Sequence, residues 1–349
     1  VYSRIARRLR IILVGFGVVN QSLVKLLLSR MDDIYARYGM KPRIVGVADS
    51  KGSIVSRSMQ GLDLKRLLEV KRVYGSVAKY NHDECKLSSM DEMIEDVDAE
   101  VMVEATPTNL KDGEPGLTHI INAIRHKKHV VTVNKGPLAL AMPSLIELAE
   151  YNNVALRFSG TVGGGTPILE FAKHCLKGDR ILSFRGILNG TTNYILSMME
   201  QGLSFSDALD DARAKGYAEA DPSLDIDGYD AAAKLVITAN WVIGMKSTLK
   251  DVRFEGIRKI KQEHILDAKS KGLVIKLIAS CSEDRELIVK PMAIDKHDPL
   301  CVNGTLNAIT FVSEHSGELT LIGKGAGGLE TASAILRDLI EIREVISRG

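Results

Sequence analysis

The chain has almost no net charge to offer a polyanion. Lysine and arginine total 46 against 44 acidic residues, a balance of +2. Such a surface creates no field that draws in nucleic acid or an anionic membrane, so neither is an expected partner. Cysteine is sparse. Cys85, Cys175, Cys281 and Cys301 are scattered and fit neither a zinc pattern nor a dense disulfide framework. A reducing cytoplasm is the simplest setting, with an intersubunit disulfide left open. No apolar run reaches the length of a bilayer span, and the stretch Ile11 to Val19 is broken by glycines and reads as a strand. The histidines lack the spacing of a metal set. Ser159 and Ser313 have no base partner in the sequence pattern, which disfavours nucleophilic hydrolysis. Internal repeats and low-complexity linkers are missing as well. The one local excess of charge, Arg4, Arg7, Arg8 and Arg10, reads as a solvated lead-in, because the first strand begins too soon for a presequence.

What remains is an ordinary globular composition in 349 residues, which makes two domains the default. The first part alternates strands and helices. Strands are predicted at Arg10 to Gly15, Arg43 to Asp49, Ala99 to Thr106, His129 to Asn134 and Val154 to Phe158. Helices are predicted at Val18 to Ser29, at Leu117 to His126, and from Pro143 to near Asn153, with more irregular chain between Asp49 and Ala99. This alternation predicts right-handed crossovers and a parallel sheet of the Rossmann type. After Thr161 a run of helices (Asn189 to Gln201, Ser204 to Lys215, Tyr229 to Ile243) and a hairpin of strands (Leu273 to Ser282, Glu286 to Ile294) predict an α+β domain. A long amphipathic helix is predicted over Leu329 to Ile346. The predicted division is a dinucleotide-binding domain over 1–158, completed by about 323–349, and a catalytic and dimerisation domain over 159–322.

Chemistry concentrates in three places. Gly15-Phe16-Gly17-Val18-Val19-Asn20 follows a strand and opens a helix, the context in which a dinucleotide fingerprint has meaning. Gly15 permits the turn and Gly17 lets a pyrophosphate approach the helix N-terminus, while Asn20 replaces the third glycine. Asp49 lies 34 residues after Gly15 (49 − 15 = 34), delayed by the polar insert Met31 to Pro42, at the strand end where an acid meets the adenosine ribose. Lys51 or Arg57 nearby could neutralise a 2′-phosphate, so NAD and NADP both stay open. Lys135 stands just past the end of a strand, where ligands of open parallel sheets bind.

The third place is Gly216 to Asp230, rich in acids, followed by Ala231-Ala232-Ala233-Lys234. Asp230 and Lys234 share a helix face. A plain exposed ion pair is the bland reading. A calcium loop fails, because Gly228 at its sixth position would put Lys234 where a bidentate Glu is needed. In a substrate site, the carboxylates would hold an ammonium group and the lysine would serve an oxygen whose charge changes.

Taken together, GFGVVN, VNKGPLA (Val133 to Ala139), GTVGGGTPIL (Gly160 to Leu169), GILNGTTNYIL (Gly186 to Leu196), GYAEADPSLDIDGYDAAAKL (Gly216 to Leu235) and GKGAGGLETASAILRDL (Gly323 to Leu339) make the chain resemble homoserine dehydrogenases over essentially its full length. The resemblance implies reversible NAD(P)-dependent interconversion of L-homoserine and L-aspartate 4-semialdehyde, on the way to threonine and methionine. It implies catalytic roles for Lys234 and Lys135, and substrate contacts from Glu219, Asp230, Asp225, Gly190 and Thr191. Cofactor contacts are expected at Gly15, Phe16, Gly17, Val18, Val19, Asn20, Asp49, Lys51, Thr106, Lys135 and Gly325. It further implies a monovalent cation such as sodium on the backbone of Val162, Gly164 and Thr166, with Ser159 standing where some relatives carry Glu. A homodimer in the cytoplasm, of the short form without regulatory or kinase domain, completes the expectation. Two rivals have weaker support. A phosphorylating aldehyde dehydrogenase needs a nucleophilic cysteine in a suggestive context, and a nucleotide-sensing module would not need both lysines.

Overall fold

The computed structural model describes residues 7–58, 60–80 and 85–348; Arg4 of the basic group lies outside them. The described chain divides into two compact units. One comprises Val1–Pro137, Ser144–Thr161 and Gly327–Gly349; the other comprises Leu138–Pro143 and Val162–Ala326.

The first unit is built on strands whose residues are apolar on both faces, as a sheet covered on both sides requires. In chain order it contains β1 (Arg7–Val14), α1 (Val18–Tyr38), β2 (Met40–Asp49), β3 (Gly52–Ser56), α2 (Leu64–Tyr74), β4 (Cys85–Ser88), α3 (Met90–Asp96), β5 (Val101–Glu104), α4 (Gly116–Arg125), β6 (His129–Thr132), α5 (Lys135–Tyr151, apart from Leu138–Pro143) and β7 (Leu156–Arg157). The sheet order among the described residues is β4-β3-β2-β1-β5-β6-β7. From β2 to β7 the pairings are parallel, whereas β3 and β4 add on antiparallel. The chain leaves β1 toward β2 and later crosses to β5 on the other side, so the loops after β1 and β5 flank a topological switch point. Ile11, Leu13, Val47, Val101, Val103 and Val131 form a core with Ala332, Ile335, Leu339 and Ile342 of the C-terminal helix Gly328–Arg348.

The structure differs from the sequence pattern in two segments of this unit. The polar insert after Ser29 is a continuation of α1, which runs to Tyr38 and ends on Gly39 in the left-handed conformation (φ 62°). The irregular stretch after Asp49 holds β3, α2, β4 and α3. In α5, Ala141 leaves helical geometry (φ −146°, ψ 19°), so Pro143 sits in the first turn of a new helical segment, where its missing N–H is harmless.

In the second unit, α6 (Ile168–Glu170) is followed by β8 (Ile181–Ile187), α7 (Gly190–Glu200), α8 (Phe205–Ala214), α9 (Ser223–Ile226), α10 (Tyr229–Thr238), β9 (Val252–Phe254), α11 (Gln262–Ser270), β10 (Leu273–Cys281), β11 (Leu287–Asp295), β12 (Leu306–Ser313) and β13 (Gly317–Lys324). Its sheet runs β13-β12-β8-β10-β11-β9 and is antiparallel apart from the β9–β11 pair. The hairpin β12–β13 is not anticipated by the sequence reading, although Leu306 to Ser313 alternates in the manner of a strand. Helix α10 is buried from Asp230 through Thr238. A helix apolar on all sides belongs inside a domain, and Lys234 is carried into the interior by it.

Candidate active site

The glycine turn of the first unit has the form the sequence predicts. Gly15 is in the left-handed region (φ 84°), and a Cβ there would stand 2.5 Å from the Ala105 carbonyl oxygen and 2.8 Å from the Thr106 nitrogen. Gly17 precedes the first turn of α1, receives no side-chain cap, and has open space within 4 Å where a Cβ would point. The unpaired N–H groups of that helix end and the open approach suit an anion such as a pyrophosphate. Phe16 is buried and Val18 is exposed. Asn20 is fully buried; its Nδ2 donates to the Gly15 carbonyl at 2.9 Å. This bond braces the turn from beneath.

Asp49 is held by its own chain. Oδ1 accepts from the backbone N–H of Lys51 (2.9 Å) and the Ser76 hydroxyl (3.2 Å); Oδ2 accepts from Lys71 Nζ (2.7 Å) and the Val77 N–H (2.8 Å). Burial opposes ionisation, but the Lys71 ammonium and the two backbone N–H groups outweigh it, and the carboxyl is held below its ordinary range. Four donors fill the four lone-pair positions of a carboxylate, so a ribose contact has to displace one of them. Lys51 is exposed.

At the carboxyl ends of β5 and β6 lies a closed ring of hydrogen bonds. Glu104 is fully buried. It accepts from the Thr106 N–H at 2.9 Å, from the Thr106 hydroxyl in a short bond, and from the Thr132 hydroxyl at 2.9 Å. Asn134 closes the ring: its N–H donates to Thr132 Oγ1 (3.1 Å) and its Nδ2 to Thr106 Oγ1 (3.2 Å). The Asn134 Oδ1 then caps α5 by accepting the Gly136 N–H at 3.1 Å. Lys135, half-buried, is the first residue of that helix.

The acidic segment of the second unit folds back on the start of α7. Lys234 Nζ donates to Asp230 Oδ2 at 2.7 Å and to the Leu188 carbonyl at 2.7 Å. An ammonium has three hydrogens; the third has no partner among the described residues. Asn189 ties the acids together, its Nδ2 donating to Asp225 Oδ1 (2.6 Å) and Asp230 Oδ2 (2.9 Å) while its Oδ1 caps α7 at Thr192 N–H (2.8 Å). Burial first, and then the neighbouring Asp230 charge, push the Asp225 carboxyl up. The Thr191 hydroxyl donates to the Tyr217 carbonyl at 2.8 Å, and Gly190 leaves no room for a Cβ, which would stand 2.7 Å from the Thr305 carbonyl oxygen. Thus Asp225, Asp230, Lys234, Gly190 and Thr191 are brought together. Glu219 is on the exposed turn above, joined to them by no hydrogen bond or ion pair among the described residues. Asp227 is committed to Arg258, which grips it at 2.7 and 2.8 Å.

Two family models match this chain: "Homoserine dehydrogenase, NAD binding domain" over residues 15–159 and "Homoserine dehydrogenase" over residues 167–340. The chain belongs to the homoserine dehydrogenase family. It is 46% identical to a homoserine dehydrogenase of Methanocaldococcus jannaschii, over 95% of this chain and 98% of the relative. It is 39% identical to an NAD(+)-dependent homoserine dehydrogenase of Pseudomonas canavaninivorans, over 97% of each. A hyperthermophilic archaeal homoserine dehydrogenase solved with NADPH superimposes with a TM-score of 0.83 at 28% identity, covering 97% of this chain and 98% of that one. The enzyme is therefore an NAD(P)-dependent oxidoreductase interconverting L-homoserine and L-aspartate 4-semialdehyde. No described helix is long and apolar enough to cross a membrane.

The glycine segments of the second unit pack on each other. Gly163 (φ 79°) and Gly164 (φ 56°) turn the chain, and a Cβ at Gly164 would stand 3.0 Å from the Gly325 carbonyl carbon. The Thr166 carbonyl accepts the Ile168 N–H at 2.8 Å. In the first unit, Ser159 is bound to Asp338 through both its N–H and its hydroxyl. Asn189, Asn134 and Glu104 carry no role in the sequence reading. Asn189 and Asn134 each precede a helix, and the N-cap preference of asparagine is the signal that could have marked them.

Proposed function

We propose that Lys234 is the proton-transferring residue of homoserine oxidation and semialdehyde reduction. The observation that carries this is the buried Lys234 ammonium, fixed by two acceptors with one N–H to spare. The bound nicotinamide supplies or accepts the hydride at the substrate's C4. In the reducing direction negative charge grows on the aldehyde oxygen. A preorganised ammonium at that oxygen favours the transition state over the neutral ground state and then gives up its proton. In the oxidising direction the hydroxyl proton returns by the same path. Lys135, at the start of α5, has the role of second active-site lysine, polarising or orienting the substrate. Asp225, Asp230 and Glu219 bind the substrate's ammonium group, with Gly190 and Thr191 beside them.

The cofactor lies along the loops after β1 and β5. The turn Gly15 to Asn20, Asp49, Lys51, Thr106, Lys135 and Gly325 are its contacts, and NAD and NADP are both candidates. The backbone oxygens of Val162, Gly164 and Thr166 would hold a sodium ion. A neutral carbonyl set suits a monovalent cation, and Ser159, committed to Asp338, does not add to it. We take residues 1–158 with about 323–349 as the dinucleotide-binding domain and 159–322 as the catalytic and dimerisation domain. A homodimer is the assembly that the family resemblance implies, formed through the second domain. A cytoplasmic setting is supported by the free thiols of Cys175, Cys281 and Cys301. Nucleic acid is not a partner on the charge balance given above.

The test follows reduced-nicotinamide absorbance with L-homoserine and with 4-hydroxybutanoate, using NAD+ and NADP+ separately. Turnover is expected on homoserine with at least one cofactor, and a large loss when the amino group is missing. Equal turnover on both substrates would sink the acidic ammonium site.

A further inference from the structure

We infer that Glu104 is a buried anion held beneath the nicotinamide end of the cofactor, where it stabilises the oxidised, cationic ring over the reduced, neutral one. The inference rests on the proposed path of the dinucleotide along the loops after β1 and β5.

The position follows from the sheet. Glu104 ends β5, opposite Val14 of β1 on one side and Thr132 of β6 on the other. The turn after β1 touches the residues that follow Glu104: the Gly15 backbone packs on Ala105 and Thr106. A dinucleotide with its pyrophosphate at Gly17 and its adenosine toward β2 lays its other half across β5 and β6. That is where Glu104 sits.

The charge state follows from counting hydrogens. Glu104 accepts three hydrogen bonds, one from an N–H and two from hydroxyls. Each of those hydroxyls also accepts from Asn134, and neither has an acceptor other than Glu104 for its own proton among the described residues. A neutral carboxylic acid that donated to one of them would leave that hydroxyl's proton without a partner. The ring is therefore built for a carboxylate. Yet every partner is uncharged, Glu104 makes no ion pair among the described residues, and burial pushes its carboxyl up. A buried anion with no bonded cation gains most from a counter-charge that arrives with a ligand. Oxidised nicotinamide carries such a charge and the reduced ring does not. The pyrophosphate is common to both forms, so its repulsion cancels in the comparison.

The experiment measures dissociation constants of the oxidised and reduced cofactor by calorimetry, for the full chain and for Glu104→Gln and Glu104→Asp. In Glu104→Gln the ratio Kd(oxidised)/Kd(reduced) is expected to rise about five- to tenfold, through the oxidised form. Glu104→Asp keeps the charge and is expected to keep the ratio within about twofold, even where both constants rise. Should Glu104→Gln fail to fold, Glu104→Met removes the same charge without setting an amide donor against the two hydroxyls, and it is expected to raise the ratio by a similar factor. Equal weakening of both forms in whichever of these charge-free variants folds would overturn the inference and leave Glu104 as a hydrogen-bonded support. Failure of the unsubstituted chain to bind either form would instead refute the dinucleotide path.

Discussion

Removing Asn189 tests the second unit's site at its most connected point. The side chain caps α7, and loss of an asparagine cap costs about 1 kcal/mol. It also donates to two carboxylates at 2.6 and 2.9 Å, and hydrogen bonds to charged groups are each worth roughly 1.5–3 kcal/mol. Asp225 is partly exposed, so water replaces part of what it loses; Asp230, buried and beside Lys234, recovers less. Weighing these, Asn189→Ala should lose about 3 kcal/mol of stability. Without the shared donor the carboxylates repel and separate, and the substrate's ammonium loses its seat. Asn189→Ser keeps a capping oxygen without the bridge, so it should recover about 1 kcal/mol of stability while the KM for homoserine stays raised. Urea midpoints at unchanged slope, read beside initial rates, give both quantities. A stability loss under about 0.5 kcal/mol in Asn189→Ala, with wild-type KM, would refute the reasoning.

Gly17→Ala should leave the melting temperature nearly unchanged, because nothing lies within 4 Å of the new methyl group, yet lower cofactor affinity by about tenfold or more. Gly15→Ala should destabilise the first unit by about 1–3 kcal/mol, since the residue holds φ 84° against the Ala105 carbonyl; thermal melts separate the two variants. Asp49→Asn should destabilise near neutral pH by about 2 kcal/mol or more. Because the folded carboxyl lies below its unfolded value, its contribution is complete above the ordinary carboxylate range and is lost as pH falls through the folded value. The stability gap between Asn and Asp at this position should therefore narrow in acid, and a gap that widens would contradict the assignment of Asp49 as a charged strut.

Much of this was legible in the sequence because local signals agreed with the fold. Strand β1, its glycine turn and α1 follow in the order that a dinucleotide fold needs, and the Asp230–Lys234 pair was visible from helical spacing. Long-range commitments were not legible. That Lys71, Ser76 and Val77 converge on Asp49 from 22 to 28 residues away shows in no local pattern. Asn20 stands in a glycine pattern, and nothing local shows that its amide braces Gly15. The helical stretch from Met31 to Tyr38 reads as a polar insert because its exposed residues hide the apolar period. Nothing local marks Glu104 within its buried strand, since only the pairing of β5 with β6 brings Thr132 and Asn134 to it.

The account turns on the Lys234 ammonium. The decisive measurement is the single-turnover rate of hydride transfer in Lys234→Ala at saturating homoserine and cofactor, with cofactor affinity measured alongside. A loss of about 10²–10⁴-fold in rate at unchanged cofactor affinity is expected of a group that carries the proton. A rate within about threefold of the unsubstituted enzyme would show that the proton travels by another route.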